Sequence, residues 1–217
     1  MEYPLNVYHS TYKQELSKRI ETLADFTYSG NWKDVFEILE NDGSLVNRCR
    51  LPRNNSAPKL YTPLHQAAHH CAPEEVFVKL ISLGASKSLK TAEGKTAYDI
   101  AKQKNLPEHI LKLIEVPAEI TDHAEEIKKM ENGLHEVIYG RAEELIKKNG
   151  LTLPQVSFLY EFGEFWYPVP GMYGGFSVQK HEKGIQASSW CRVVGGSGQL
   201  HVIDKEGKVE LVDEGFV

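Results

Sequence analysis

"YTPLHQAAHH" fills residues 61–70 and "KTAYDIAKQK" residues 95–104, so that Thr62 and Thr96 stand 34 positions apart. The same offset lays Leu64 over Tyr98, Ala67 over Ala101, Val76 over Ile110, Phe77 over Leu111 and Leu80 over Ile114. Apolar positions that match through two successive amphipathic stretches predict a repeated pair of helices, which one chance motif would not produce. Local chemistry points the same way. Thr62 suits a helix N-cap, Pro63 the first helical position, and Ala67 and Ala68 are small enough to let helices approach closely. Gly84, after Leu83, is a stop signal for the second helix.

Thr62-Pro63-Leu64-His65-Gln66-Ala67 resembles the signature of ankyrin-repeat proteins, whose units run about 33 residues. An earlier, degenerate unit at about 21–50 sets Leu23 against Leu64, Phe26 against Ala67 and Val35 against Val76, at an offset of 41. It reads as an N-terminal cap, preceded by a helix at 9–20. The seven extra residues fall in "RCRLPRNNSAPKLY" (48–61), where ankyrin units project a hairpin loop. The resemblance thus implies about three units over residues 21–116 and a helical solenoid over residues 1–117. It implies a structural hydrogen bond for His65. It also implies recognition from hairpin loops and first helices, which would carry Arg53, Asn54, Asn55, Lys59, Tyr61, His69, Lys90 and Glu93.

Pro117 breaks this pattern, and Thr121 can cap a long helix that closes at Asn149–Gly150. Ile127, Met130, Leu134, Val137, Ile138, Leu145 and Ile146 recur at intervals of three and four, giving that helix one apolar face. Gly133 and Gly140 lie inside it and predict a bend or a close approach. Beyond Gly150 the chain turns to short β-branched and aromatic runs, read as strands near 154–161, 164–169, 174–180, 185–194, 199–203 and 208–212. "DKEG" (204–207) is a hairpin turn, and "PVPGMYGGFS" (168–177) must reverse the chain, with Gly171, Gly174 and Gly175 free to take positive φ. The expected fold class is a two-part protein. An N-terminal ankyrin-repeat helical solenoid precedes a C-terminal α+β domain over residues 118–217, with a long helix packed on an antiparallel meander of about five strands.

The composition, 217 residues with 41% hydrophobic and 25% charged, is that of a folded chain. No run nears the roughly 18 apolar residues of a membrane span, and the start lacks a signal peptide, so a cytoplasmic protein without membrane contact is expected. Three widely spaced cysteines, Cys49, Cys71 and Cys191, suggest neither a disulfide framework nor a zinc site. His69, His70 and Cys71 have no second ligand pair, so no metal and no cofactor is expected. The net charge of −5 argues against nucleic acid and favours a neutral or basic partner.

Two classes of function follow. The first is a protein-binding module, in its specific form a bacterial immunity protein that binds and neutralises a toxic effector. Its candidate contacts extend to the aromatic segment through Trp166, Tyr167, Met172 and Tyr173, a composition enriched at interfaces. The second is a hydrolase or transferase with a recruitment domain, using Ser188, Cys191, Arg192, Ser197 and His201 around the turn in "SSWCRVVGGSGQLHV". That stretch contains no recognised catalytic motif, and a nucleophile with its base must meet within hydrogen-bond reach. A non-inhibitory assembly scaffold is a third reading.

Overall fold

The computed structural model describes residues 1–6, 14–52, 57–192 and 196–216. Its contacts separate two compact units, one of residues 7–117 and the other of residues 1–6 with 118–217. In chain order the helical unit therefore interrupts the α+β unit, whose first six residues come before it.

The helical unit contains α1 (Gln14–Ser29), α2 (Trp32–Asn41), a 3₁₀ turn (Gly43–Leu45), α3 (Pro63–His69), α4 (Glu74–Ser82), α5 (Ala97–Gln103) and α6 (Glu108–Ile114). The pairs α3–α4 and α5–α6 start alike. At α5 the Thr96 hydroxyl accepts the Asp99 amide at 3.2 Å while the Asp99 carboxylate accepts the Thr96 amide at 2.8 Å. At α3 His65 takes the Asp99 role, its Nδ1 accepting the Thr62 amide at 3.2 Å. Both capping arrangements satisfy orphan amides at the helix start. Pro73 and Pro107 precede α4 and α6, and the connecting turns place Cys71 (φ 49°) and Asn105 (φ 58°) in the left-handed region.

The fold class nevertheless departs from the expected ankyrin-repeat solenoid. α1 and α2 run 16 and 10 residues against 7 to 9 for α3–α6, so one duplicated pair stands beside an unlike one. No strand is found in residues 7–117 among those described. The reasons are local. Ile20, Leu23 and Thr27 bury one continuous face, so a single helix runs through the boundary expected at residue 20. In the segment expected to form a hairpin, the Leu51 amide donates to the Glu21 carboxylate at 2.9 Å, and Arg50 reaches Glu21 at 3.2 Å and Asp25 at 2.5 Å. Backbone groups satisfied by an acidic helix face need no ladder.

The α+β unit holds α7 (Ala118–Thr121), α8 (Ala124–Asn149), α9 (Ser157–Phe162), β1 (Glu164–Val169), β2 (Gly174–His181), β3 (Gly184–Cys191), β4 (Ser197–Asp204) and β5 (Val209–Phe216). The strands form one antiparallel meander in sequence order. Register sets Tyr167 opposite Phe176 and Phe165 opposite Val178, and all four are buried, as are Met130, Leu134 and Ile138 of α8, the helix that packs on the sheet. Gly133 permits that approach: a Cβ there would stand 2.7 Å from Ile203 and 2.8 Å from the Gly207 carbonyl.

Three expectations are corrected here. Residues 157–162 are helical rather than extended, because Val156, Phe158 and Leu159 are all buried, a pattern that alternation cannot produce. Thr121 ends the short α7, its hydroxyl donating to the Ala118 carbonyl at 3.2 Å, and does not cap α8. In "PVPGMYGGFS" the positive φ values belong to Gly171 (88°) and Tyr173 (52°). Gly174 and Gly175 are there for space, since a Cβ on them would meet the Trp190 carbonyl at 1.9 Å and the Tyr167 carbonyl at 2.3 Å.

The first residues of the chain complete this unit. The Tyr3 amide donates to the Trp166 carbonyl at 2.8 Å and the Trp166 amide to the Met1 carbonyl at 2.7 Å, a parallel bridge along the free edge of β1. The Tyr3 ring is fully buried against Phe158, Phe165 and Tyr167, and its hydroxyl accepts the Gln155 amide at 3.0 Å. Asn6 donates to the Pro168 carbonyl at 2.8 Å.

Candidate functional site

The helical unit carries a groove of about 580 Å³ between the end of α1, the segment after Arg50 and α3. Its floor is largely apolar, with Ala24, Leu51, Pro58 and Leu60, and its rim carries Tyr28, Lys59, Tyr61, His69 and His70. Pockets of this size with a few convergent polar groups are where ligands and partner side chains lodge.

Each rim residue has a structural cause. His65 is fully buried and anchors the wall, with Nδ1 accepting from Thr62 and Nε2 therefore donating to the Leu89 carbonyl at 3.0 Å. Burial pushes its pKa down to about 4, so the ring stays neutral. One turn on, His69 faces solvent with Tyr61 edge-on to it, ring centroids 6.4 Å apart, and His70 perpendicular to it at 5.5 Å. Its pKa is lowered, first by desolvation and then by the charge of Lys104 and the proximity of His70. Tyr28 closes the opposite side with 69% of its surface exposed. Arg50 belongs to the lining, but its guanidinium is held by Glu21 and Asp25. No carboxylate is among the described residues that line the groove.

Of the residues singled out from sequence, Lys59, Tyr61 and His69 meet at this groove. Arg53, Asn54 and Asn55 lie outside the described residues. Lys90 and Glu93 are exposed but are not part of the lining, and Glu93 pairs with Lys95 at 3.3 Å. In the α+β unit Tyr167 and Met172 are buried in the core, Trp166 stacks on Trp190 at 4.5 Å, and only Tyr173, 74% exposed, stands out to solvent. Tyr28 and Arg50 escaped the sequence reading, because pairing a helix end with a distant loop leaves no local pattern; His70 was weighed there only as a metal ligand.

The residues considered for catalysis do not converge. Ser188 alternates with buried Ala187 and Ser189, so it points to the other face of the sheet from them. Cys191 is the register partner of Ser197, whereas His201 lies four residues further along β4, about 13 Å away at the rise of a strand. Arg192 is exposed, and its amide donates to the Met172 carbonyl at 3.3 Å. The buried Cys49 thiol has its pKa pushed up to about 12 by desolvation, which leaves it inert as a nucleophile. Among the described residues no group of three or more His, Cys, Asp or Glu could hold a metal ion, and no helix is long and apolar enough to cross a membrane.

No family model, no curated protein and no solved structure matches this chain.

Proposed function

We propose that this chain acts by binding another protein, through the groove of its helical unit, and that it performs no chemistry of its own. The observation that carries this reading is the groove itself: an apolar floor rimmed by Tyr28, Tyr61, Lys59 and two histidines, with no carboxylate among the described lining residues. Aromatic rims around an apolar floor are the usual anchor of a protein interface. The rim charge selects a segment that presents an apolar side chain flanked by acidic groups, even though the chain as a whole is acidic at −5. In its specific form the reading is an inhibitor of the immunity type, which occupies a toxic effector.

Affinity capture from the native host, with the wild type and three variants as bait, tests this. Tyr61→Ala and Lys59→Glu should each reduce the co-purifying chain at least tenfold, while Cys191→Ala should leave it unchanged. Co-expression with that chain should restore growth if it is toxic, and Lys59→Glu should lose the protection. A phenotype abolished by Cys191→Ala and indifferent to the groove variants would instead establish an enzyme.

A further inference from the structure

The α+β unit contains a second concavity, a cleft of about 460 Å³ between α8 and strands β4 and β5. We propose that it is a binding site for a monovalent carboxylate carried on an apolar stem, with Arg141 as its anchor.

Regular helix geometry breaks within α8 at Ala142 (φ −145°, ψ 20°). Beside that break Arg141 reaches β4, donating from Nη1 to the Ser197 hydroxyl at 3.2 Å and from Nη2 to the Ser197 carbonyl at 2.9 Å. Both partners are neutral. Among the described residues no acid lies within ion-pair distance of this guanidinium, in a chain with 30 Asp and Glu against 25 Lys and Arg. Its Nε is buried with no acceptor. An arginine fixed by two neutral bonds, short of a counter-charge and holding a spare donor, is a prepared anion clamp, since carboxylates bind guanidinium with two parallel bonds.

The rest of the cleft narrows the ligand. His201 lies on the same face of β4 as Ser197, and its buried Nδ1 also has no partner. Desolvation and the charge of Arg141 lower its pKa, so the ring is neutral and offers one more donor without adding charge. Glu136 lines the cleft, and Glu214 stands next to it, accepting from Gln199 at 2.7 Å. These two carboxylates oppose a dianion such as phosphate, while Val137 and Val209 offer apolar wall to a stem. Gly140 keeps the helix side open, with no atom within 4 Å of where its Cβ would stand.

A small organic acid and the carboxy-terminus of a peptide share this chemistry, and hexanoate and N-acetyl-leucine serve as their respective probes. In the folded wild-type protein, titration with either is followed by NMR of the His201 ring and the Arg141 Nε–H. Saturable shifts confined to these signals are expected, with hexanamide and N-acetyl-leucinamide at least tenfold weaker. Tighter binding of hexanoate identifies a small acid, and tighter binding of N-acetyl-leucine a chain end. Arg141→Gln should weaken the better probe at least tenfold. Ser197→Ala, which frees the guanidinium without removing it, should weaken it less, which guards against a variant that merely unfolds. The proposal is overturned if amides shift the wild-type signals as much as acids do, if inorganic phosphate binds as tightly as hexanoate, or if no saturation is reached.

Discussion

The two units hold themselves together over very different distances along the chain. In the helical unit the anchoring bonds are short in sequence: Thr96 with Asp99 three residues on, Thr62 with His65, and Asn47 with Gly84 at a separation of 37. In the α+β unit Asn6 bonds to Pro168 at a separation of 162, and Tyr3 to Gln155 at 152. The first unit is built of caps and helix pairs that largely specify themselves. The second owes one edge of its sheet to a segment that the rest of the chain must bring back. A unit closed by its own terminus is exposed to single changes far from its core strands, whereas a unit of paired helices loses stability in smaller steps.

Tyr3→Ala provides the sharpest break in this comparison. Removing a fully buried ring with a hydrogen-bonded hydroxyl should cost about 3–5 kcal/mol, read from urea denaturation. The loss should appear in the fluorescence of Trp166 and Trp190 while that of Trp32 is unmoved; a uniform loss would mean that the units do not unfold separately.

Acid acts on the other unit. The buried His65 has its pKa lowered from 6.5 to about 4, so between those values the unfolded chain binds a proton that the fold refuses. Stability is therefore complete above pH 6.5, falls as the pH drops through this window and levels off below 4. The full loss is roughly 3 kcal/mol at 1.36 kcal/mol for each unit of pKa. Hydrogen exchange of α3 amides across this range should follow that curve, and His65→Gln should flatten it.

The two interior glycines of α8 should respond in opposite directions. Gly133→Ala gains about 1 kcal/mol of helix propensity but forces a Cβ to within 2.8 Å of the Gly207 carbonyl, where overpacking costs about 1–3 kcal/mol. A net loss is expected. Gly140→Ala meets nothing within 4 Å and should gain up to about 1 kcal/mol, visible as a higher Tm. Equal signs would show that the approach of α8 to the β4–β5 hairpin is looser than its geometry. The smallest effect belongs to the duplicated pair, where Thr96→Ala removes a cap for about 1 kcal/mol and should leave the sheet untouched in exchange measurements.

These differences track what was legible in the residues themselves. The 34-residue echo, the cap at Thr62 and the apolar stripe of the long helix were readable because each depends on neighbours within one or two turns. The same stretch misled about the array. A motif shared by two pairs says nothing about whether a third obeys it, and α1 follows its own buried face through residues 14–29. Residues 154–161 misled for a related reason: aromatic and β-branched composition favours a strand, but Val156, Ser157, Phe158 and Leu159 are all buried, a run that the two-residue alternation of a half-buried strand does not give, and residues 157–162 form a helix. At the groove, Lys59, Tyr61 and His69 were found because they flank the motif. Tyr28 and Arg50 were not, since nothing local ties the end of α1 to that loop.

By itself, then, the order of residues determined where α3 and α5 start, the order of the strand meander and the class of residue at its core, all set by backbone propensity and periodicity over a few residues. Only the tertiary structure decided which strand edge receives residues 1–6, which aromatic rings are spent inside, and which arginine is left facing one hydroxyl and one carbonyl oxygen instead of an acid. Those outcomes depend on groups brought together across more than fifty positions, where solvation and charge balance are settled by packing rather than by neighbours in the chain.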